Sequence, residues 1–143
     1  MICNDAILLK KIYRSSKTAM DAIKIMAEKS ESEDLENVLT KQRDKYFDIA
    51  EDANILLRYL HELPEDATLF SQFNFFVTMK FGVFAKKDTH DFAELLIEGC
   101  MGGVMEMIRE IKSQKCADSK CIDLAHILIE TEQDTISLLE RFL

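Results

Sequence analysis

Tryptophan is missing from this 143-residue chain, proline occurs once and glycine four times. With so few backbone breakers, long stretches are free to run as uninterrupted helix. No apolar run approaches the roughly 18 residues that a membrane span requires. Basic residues are outnumbered 26 to 18, for a net charge of -8. That balance argues against nucleic acid or an anionic membrane as a partner. Ahead of Asp5, the residues Met1-Ile-Cys-Asn show neither a basic stretch before an apolar run nor an export cleavage pattern. A cytoplasmic location is therefore expected. The four cysteines are then expected as thiols rather than disulfides.

What is present suits a single domain over residues 1–143. Apolar residues make up 48%, with nine phenylalanines and seven methionines as bulky filling. Apolar positions recur every three or four residues, so the fold class is all-α. A first helix spans about 3–29, with Leu8, Ile12, Ser16, Ala19, Ile23 and Met26 inward. Ser30-Glu-Ser-Glu33 breaks it and offers a capping box. A second helix covers about 32–62, with Leu35, Leu39, Gln42, Tyr46, Ile49, Ala53, Leu56 and Leu60 inward, and ends before Pro64. A phenylalanine-rich segment follows over about 67–86. Asp88 caps a third long helix to about 113, and Asp118 or Ser119 caps a fourth running to Leu143.

Four amphipathic helices with short first and third turns make a bundle of two hairpins. The middle connection, at some 25 residues, is long for a loop but matches a helix of about 30 Å. It is read as a helical crossover between helices two and three, which makes them parallel and the bundle ferritin-like. An up-down-up-down bundle, with that segment laid across one end, is the rival.

Glu132 is the most telling residue. It interrupts the inward stripe of Ile122, Ala125, Ile129, Ile136, Leu139 and Leu143 on the fourth helix. A buried carboxylate needs a hydrogen bond, a cation, a metal or a proton, because bare burial costs several kcal/mol, to order of magnitude. Counting about 1.5 Å per residue, Ser16, Tyr46 and Gly99 come to its height. Gly99 and Gly103 lie four apart and open a groove free of side chains. Two readings of a buried Glu132 stay open, beside a third in which the helix register turns it to solvent. In one, helices pack closely there and Tyr46 or Ser16 donates to Glu132. In the other, the glycines flank a pocket for a metal or small ligand.

A ferritin-type two-metal centre takes a Glu from each of two helices and Glu-x-x-His from each of the other two. Glu-x-x-His is absent, and the nearest approach is Asp123-x-x-His126 followed by Glu130. Glu106 points inward but sits about 10 Å below Glu132. Glu106, Glu132 and His126 are therefore a reduced candidate ligand set. His61 and His90 fall at opposite ends of a crossover bundle, so three histidines cannot converge. A second candidate is zinc held by Cys3, His61, Cys116 and Cys121 near one end. Unrelated thiols at a helix end are the simpler account, and Cys100 reads as a packing residue.

The chain also resembles the small ferritin-like four-helix proteins of unknown function from anaerobic Gram-positive bacteria. The resemblance rests on Ile97-Glu-Gly-Cys-Met-Gly-Gly103, Ile129-Glu-Thr-Glu-Gln133 and the closing Leu138-Leu-Glu-Arg-Phe-Leu143. That family's third helix carries Gly-x-x-x-Gly, matching Gly99 and Gly103, and its fourth carries a glutamate matching Glu132. Glu98 stands where members often have glutamine, and Cys100 where a small polar residue is common. The resemblance implies the fold and no established activity.

Three functions are carried forward. The first is a non-enzymatic bundle acting through a protein partner or as a homo-oligomer such as a dimer, with no cofactor. The alternative is a metal-binding or redox protein using iron, manganese or zinc on a reduced ligand set. The third is binding of a small apolar ligand between the glycine helix and the phenylalanine-rich segment.

Overall fold

A computed structural model describes residues 4–64, 88–115 and 117–143. It contains four long helices: α1 (Asp5–Lys29), α2 (Glu33–Tyr59), α3 (Thr89–Ser113) and α4 (Ser119–Leu139), the last closed by a 3-10 turn over Glu140–Phe142. Each starts where a short polar side chain replaces the missing helical acceptor. Asn4 accepts from Ile7 N–H, Ser32 from Leu35 N–H, and Asp118 from Lys120 N–H. Asp88 and Asp91 form a reciprocal capping box at α3. For α2 the cap is Ser32 rather than Ser30. Ser30 Oγ instead accepts from Ser32 N–H, which stiffens the turn between α1 and α2.

The close of α2 differs from the expected helix to about 62. His61 N–H donates to the Arg58 carbonyl and Glu62 N–H to the Leu57 carbonyl, a Schellman ending. The left-handed position of that motif, normally glycine, is His61 with φ 55. Because a histidine stands there, no glycine signals the stop.

Cross-helix pairs give each helix its direction. Lys10 meets Glu62 at 3.1 Å and Lys11 meets Glu110 at 2.7 Å. The start of α1 therefore lies beside the ends of both α2 and α3, a level called the bottom here. Asp118 N–H donates to Asp5 at 2.9 Å, so α4 also starts at the bottom. Hence α2 and α3 both descend, α1 and α4 both ascend, and the fold is an all-α four-helix bundle of the crossover type. The up-down-up-down rival is excluded, since α2 ends at the bottom and α3 begins at the top. The expected helix over 67–86 lies outside the described residues.

The most extensive packing is antiparallel, α1 on α2, α4 on α3 and α2 on α4; α1 also touches α3 and, running parallel to it, α4. The centre is filled by Leu8, Ile12, Ile23, Leu39, Leu57 and Leu128, all at 1% exposure or less. Each such side chain contributes on the order of 1.5–3 kcal/mol through burial. The anticipated α1 stripe is buried throughout. On α2 the last inward residue is Leu57, with Leu56 partly covered and Leu60 exposed; Leu143, expected on the fourth helix, lies beyond α4 and its closing turn and is exposed. No described helix is long and apolar enough to cross a membrane.

Candidate functional site

Helical spacing brings Tyr46 of α2, Cys100 and Gly103 of α3, and Glu132 and Thr135 of α4 together in the interior. Glu132 is 3% exposed and Tyr46 fully buried. Tyr46 Oη donates to Glu132 Oε2 at 2.6 Å, a short charge-assisted geometry. The Cys100 thiol is close enough to Glu132 to favour its charged form, and its Sγ lies 3.6 Å from Tyr46 Oη. Gly103 supplies the space beside them. A Cβ there would stand 2.6 Å from Glu132 Oε1 and 3.2 Å from Cδ.

The cluster continues toward the surface. Thr135 Oγ1 lies 3.2 Å from Tyr46 Oη and accepts from Gln42 Nε2 at 2.8 Å. The same Gln42 nitrogen donates to Asp134 Oδ2 at 3.4 Å, and Lys45 Nζ meets Asp134 at 2.8 Å. A polar thread thus runs from the buried acid to solvent.

Burial pushes the Glu132 carboxyl up to about 7, against the hydrogen bonds from Cys100 and Tyr46, and the negative charge of Glu106 adds to the rise. Burial, reinforced by Glu132, also drives the Tyr46 hydroxyl and the Cys100 thiol well above their ordinary ranges. Tyrosine and cysteine therefore keep their protons while Glu132 exchanges one near neutrality. The cluster can hold or release a proton, but it presents no thiolate nucleophile.

Among the described residues the interior does not assemble a two-metal centre. Glu106 is half-buried and faces Arg14, 3.6 Å away. Among the described residues no buried side-chain nitrogen or oxygen lacks a hydrogen-bond partner. His126, Asp123 and Glu130 are exposed, which leaves Glu106, Glu132 and His126 apart as a ligand set. Ser16 is buried, but its hydroxyl donates to the Ile12 carbonyl at 2.8 Å instead of reaching Glu132. Gly99, one turn before Gly103, is half-buried.

The zinc set is not assembled from what is described. Cys3 and Cys116 lie outside the described residues. His61 is exposed and closes α2. Cys121 is a buried free thiol, pushed up to about 11 by burial and then by Asp5 and Asp118.

Sequence reasoning missed two features. Cys100 belongs to the polar cluster; its position three residues before Gly103 put it on the same face. At the top of α3, His90, Asp91 and Glu94 each offer a ligand atom, all within 4.8 Å of one another. His90 Nε2 lies 3.7 Å from Glu94 Oε2. Positions i and i+4 share a helical face, so this pairing was legible from spacing alone.

No protein-family model matches the chain, and no curated protein matches it in sequence. Solved structures do. A DUF305 fragment from Deinococcus radiodurans superposes with a TM-score of 0.77 at 12% identity, covering 99% of this chain and 97% of its own. Dps from Thermosynechococcus elongatus superposes with a TM-score of 0.75 at 15% identity, covering 96% of this chain and 88% of its own. The fold is ferritin-like. At these identities the likeness concerns architecture alone.

Proposed function

We propose that this protein is a cytoplasmic ferritin-like bundle that binds a divalent cation through a reduced, non-standard ligand set: His90, Asp91 and Glu94. The observation that carries this reading is the convergence of one imidazole and two carboxylates within 4.8 Å. A neutral imidazole with two carboxylates supplies two negative charges and suits zinc, manganese or iron(II). Three protein donors leave coordination positions for water or a further ligand. The positive end of the α3 dipole opposes a cation by about 0.3–1 kcal/mol, which sets a modest affinity. Titration of Mn2+, Zn2+ and anaerobic Fe2+ into tag-free protein tests the reading by calorimetry. One equivalent is expected for wild type and none for the double variant His90→Ala, Glu94→Gln. Absent heat for all three ions, or unchanged binding by the variant, defeats it.

A second reading, assembly with another copy of the chain, is supported by an apolar stripe on α3. Met101, Met105 and Ile108 are 56%, 53% and 41% exposed at spacings of four and three. Sedimentation should give a dimer or larger species that Met105→Glu dissociates; a monomer at millimolar concentration excludes it. The narrower kinship with the small bundles of anaerobic Gram-positive bacteria, through Gly99, Gly103 and Glu132, belongs to the same proposal.

A further inference from the structure

The seam between α2 and α4 is polarised along its length. Its upper half forms an open groove of about 590 Å³, a size in the range of small-molecule sites. On α2 the groove is lined by Val38, Lys41, Gln42 and Lys45, spaced three, one and three apart. Facing them, with the same spacing on the antiparallel α4 and its closing turn, are Asp134, Ser137, Leu138 and Arg141. Two equally spaced helical faces thus oppose each other, which places three cations, one acid, an amide and a hydroxyl around a partly apolar floor.

Charge decides what such a groove accepts. Its single acid, Asp134, is already neutralised by Lys45 at 2.8 Å. Neither Lys41 nor Arg141 is ion-paired with a described residue, although the chain carries 26 acids against 18 bases. The Arg141 guanidinium is held over the Phe142 ring, 4.6 Å from its centroid. Below Lys45 the seam changes sign, with Asp48, Asp52 and Glu130 lining the adjoining groove. An anion is therefore admitted only to the upper half. The apolar groups of Val38 and Leu138 would remain wet beneath a bare inorganic ion.

We propose that the upper α2–α4 groove binds an organic anion, a carboxylate or phosphate head carried on a short apolar body, with Lys41 and Arg141 on the head and Val38 and Leu138 against the body. Arg141 supplies the planar fork suited to either head group. Ser137 adds a hydroxyl donor beside it.

The test is a 1H–15N titration of the full chain with octanoate, octyl phosphate and inorganic phosphate as separate probes. At least one octyl probe should saturate, moving amides confined to 38–45 and 134–141. Lys41→Gln with Arg141→Gln should weaken it by about tenfold or more, since two charged donors are removed. Lys112→Gln, on exposed α3 surface, should leave the affinity unchanged. Both altered groove side chains are exposed, so the spectrum of the double variant should keep the native dispersion. If that pair disturbs the fold, Lys41→Glu alone serves, with the same loss expected. The proposal is overturned if neither octyl probe saturates, if the perturbed amides lie elsewhere, or if the groove variants bind as wild type does. Inorganic phosphate binding as tightly as octyl phosphate also overturns it, because the apolar body would then contribute nothing.

Discussion

Tyr46 and Glu132 share a 2.6 Å hydrogen bond in the bundle interior, with the phenol donating to the carboxylate. It is the shortest link between the two hairpins near their centre that the interior polar cluster contains. Replacing Tyr46 by phenylalanine leaves a buried acid short of one donor. We expect a loss of about 1–3 kcal/mol in urea unfolding at pH 8, and a smaller loss at pH 5, where Glu132 is protonated. An equal loss at both values would mean that the bond does not serve the charge.

Glu132 makes stability depend on pH. Its folded value, about 7, lies above the ordinary glutamate value of 4.5, so the native state holds this proton more tightly than the unfolded chain does. Its contribution is therefore complete below 4.5, declines between 4.5 and 7, and levels off above that. The decline amounts to about 3 kcal/mol, at 1.36 per unit. Glu132→Gln should abolish this component and leave the variant more stable than wild type at pH 8. Parallel stability curves for the two proteins across that window would refute the assignment.

Gly103 and Gly102 are adjacent but should respond oppositely to alanine. At Gly102 nothing lies within 4 Å of the added carbon, and the helix gains about 1 kcal/mol. At Gly103 the added carbon meets a carboxylate that Tyr46 and Cys100 hold in place, which should cost about 1–3 kcal/mol. Thermal melts of the two variants read this directly, and a stabilised Gly103→Ala would show that Glu132 yields freely.

His61 sits where the end of α2 needs a left-handed residue. Glycine there should raise stability by about 0.5–1 kcal/mol, relief of the left-handed strain exceeding the added chain entropy. Lower stability for His61→Gly would point to a side-chain contact that the capping argument omits.

Cys100 and Cys121 are buried thiols, both harder to ionise than a free thiol because of burial. In native protein at pH 7.5, peptide mapping should find neither alkylated by iodoacetamide until denaturant is added. Labelling of Cys100 at the rate of an open thiol would contradict its burial.

The helices were legible because their apolar residues recur with the period of an α-helix, and the starts of α3 and α4 because Asp88 and Asp118 are cap-forming types; at α2 two serines compete, and the cap is Ser32 where Ser30 is the expected one. The parallel arrangement of α2 and α3 followed from the length between Pro64 and Asp88, which a turn does not require. Glu132 and Tyr46 were found by counting height along helices, which is reliable to about one turn. That tolerance is why Ser16 looked equally suitable: its hydroxyl turns back on its own helix, a choice made by rotamer and not by spacing. Cys100 was read as filling because a thiol on an inward face is usually apolar packing, and only the neighbouring carboxylate makes it polar here. The end of α2 was misplaced because His61 fills a role for which glycine is the usual sign.

Gln42 has one side-chain nitrogen and two claims on it, Asp134 outside and Thr135 within. Any rearrangement at the rim that draws Asp134 away frees an amide hydrogen that sits one hydroxyl from the phenol of Tyr46. The bundle's centre is thus wired to its exterior by a side chain that cannot turn without being felt at both ends.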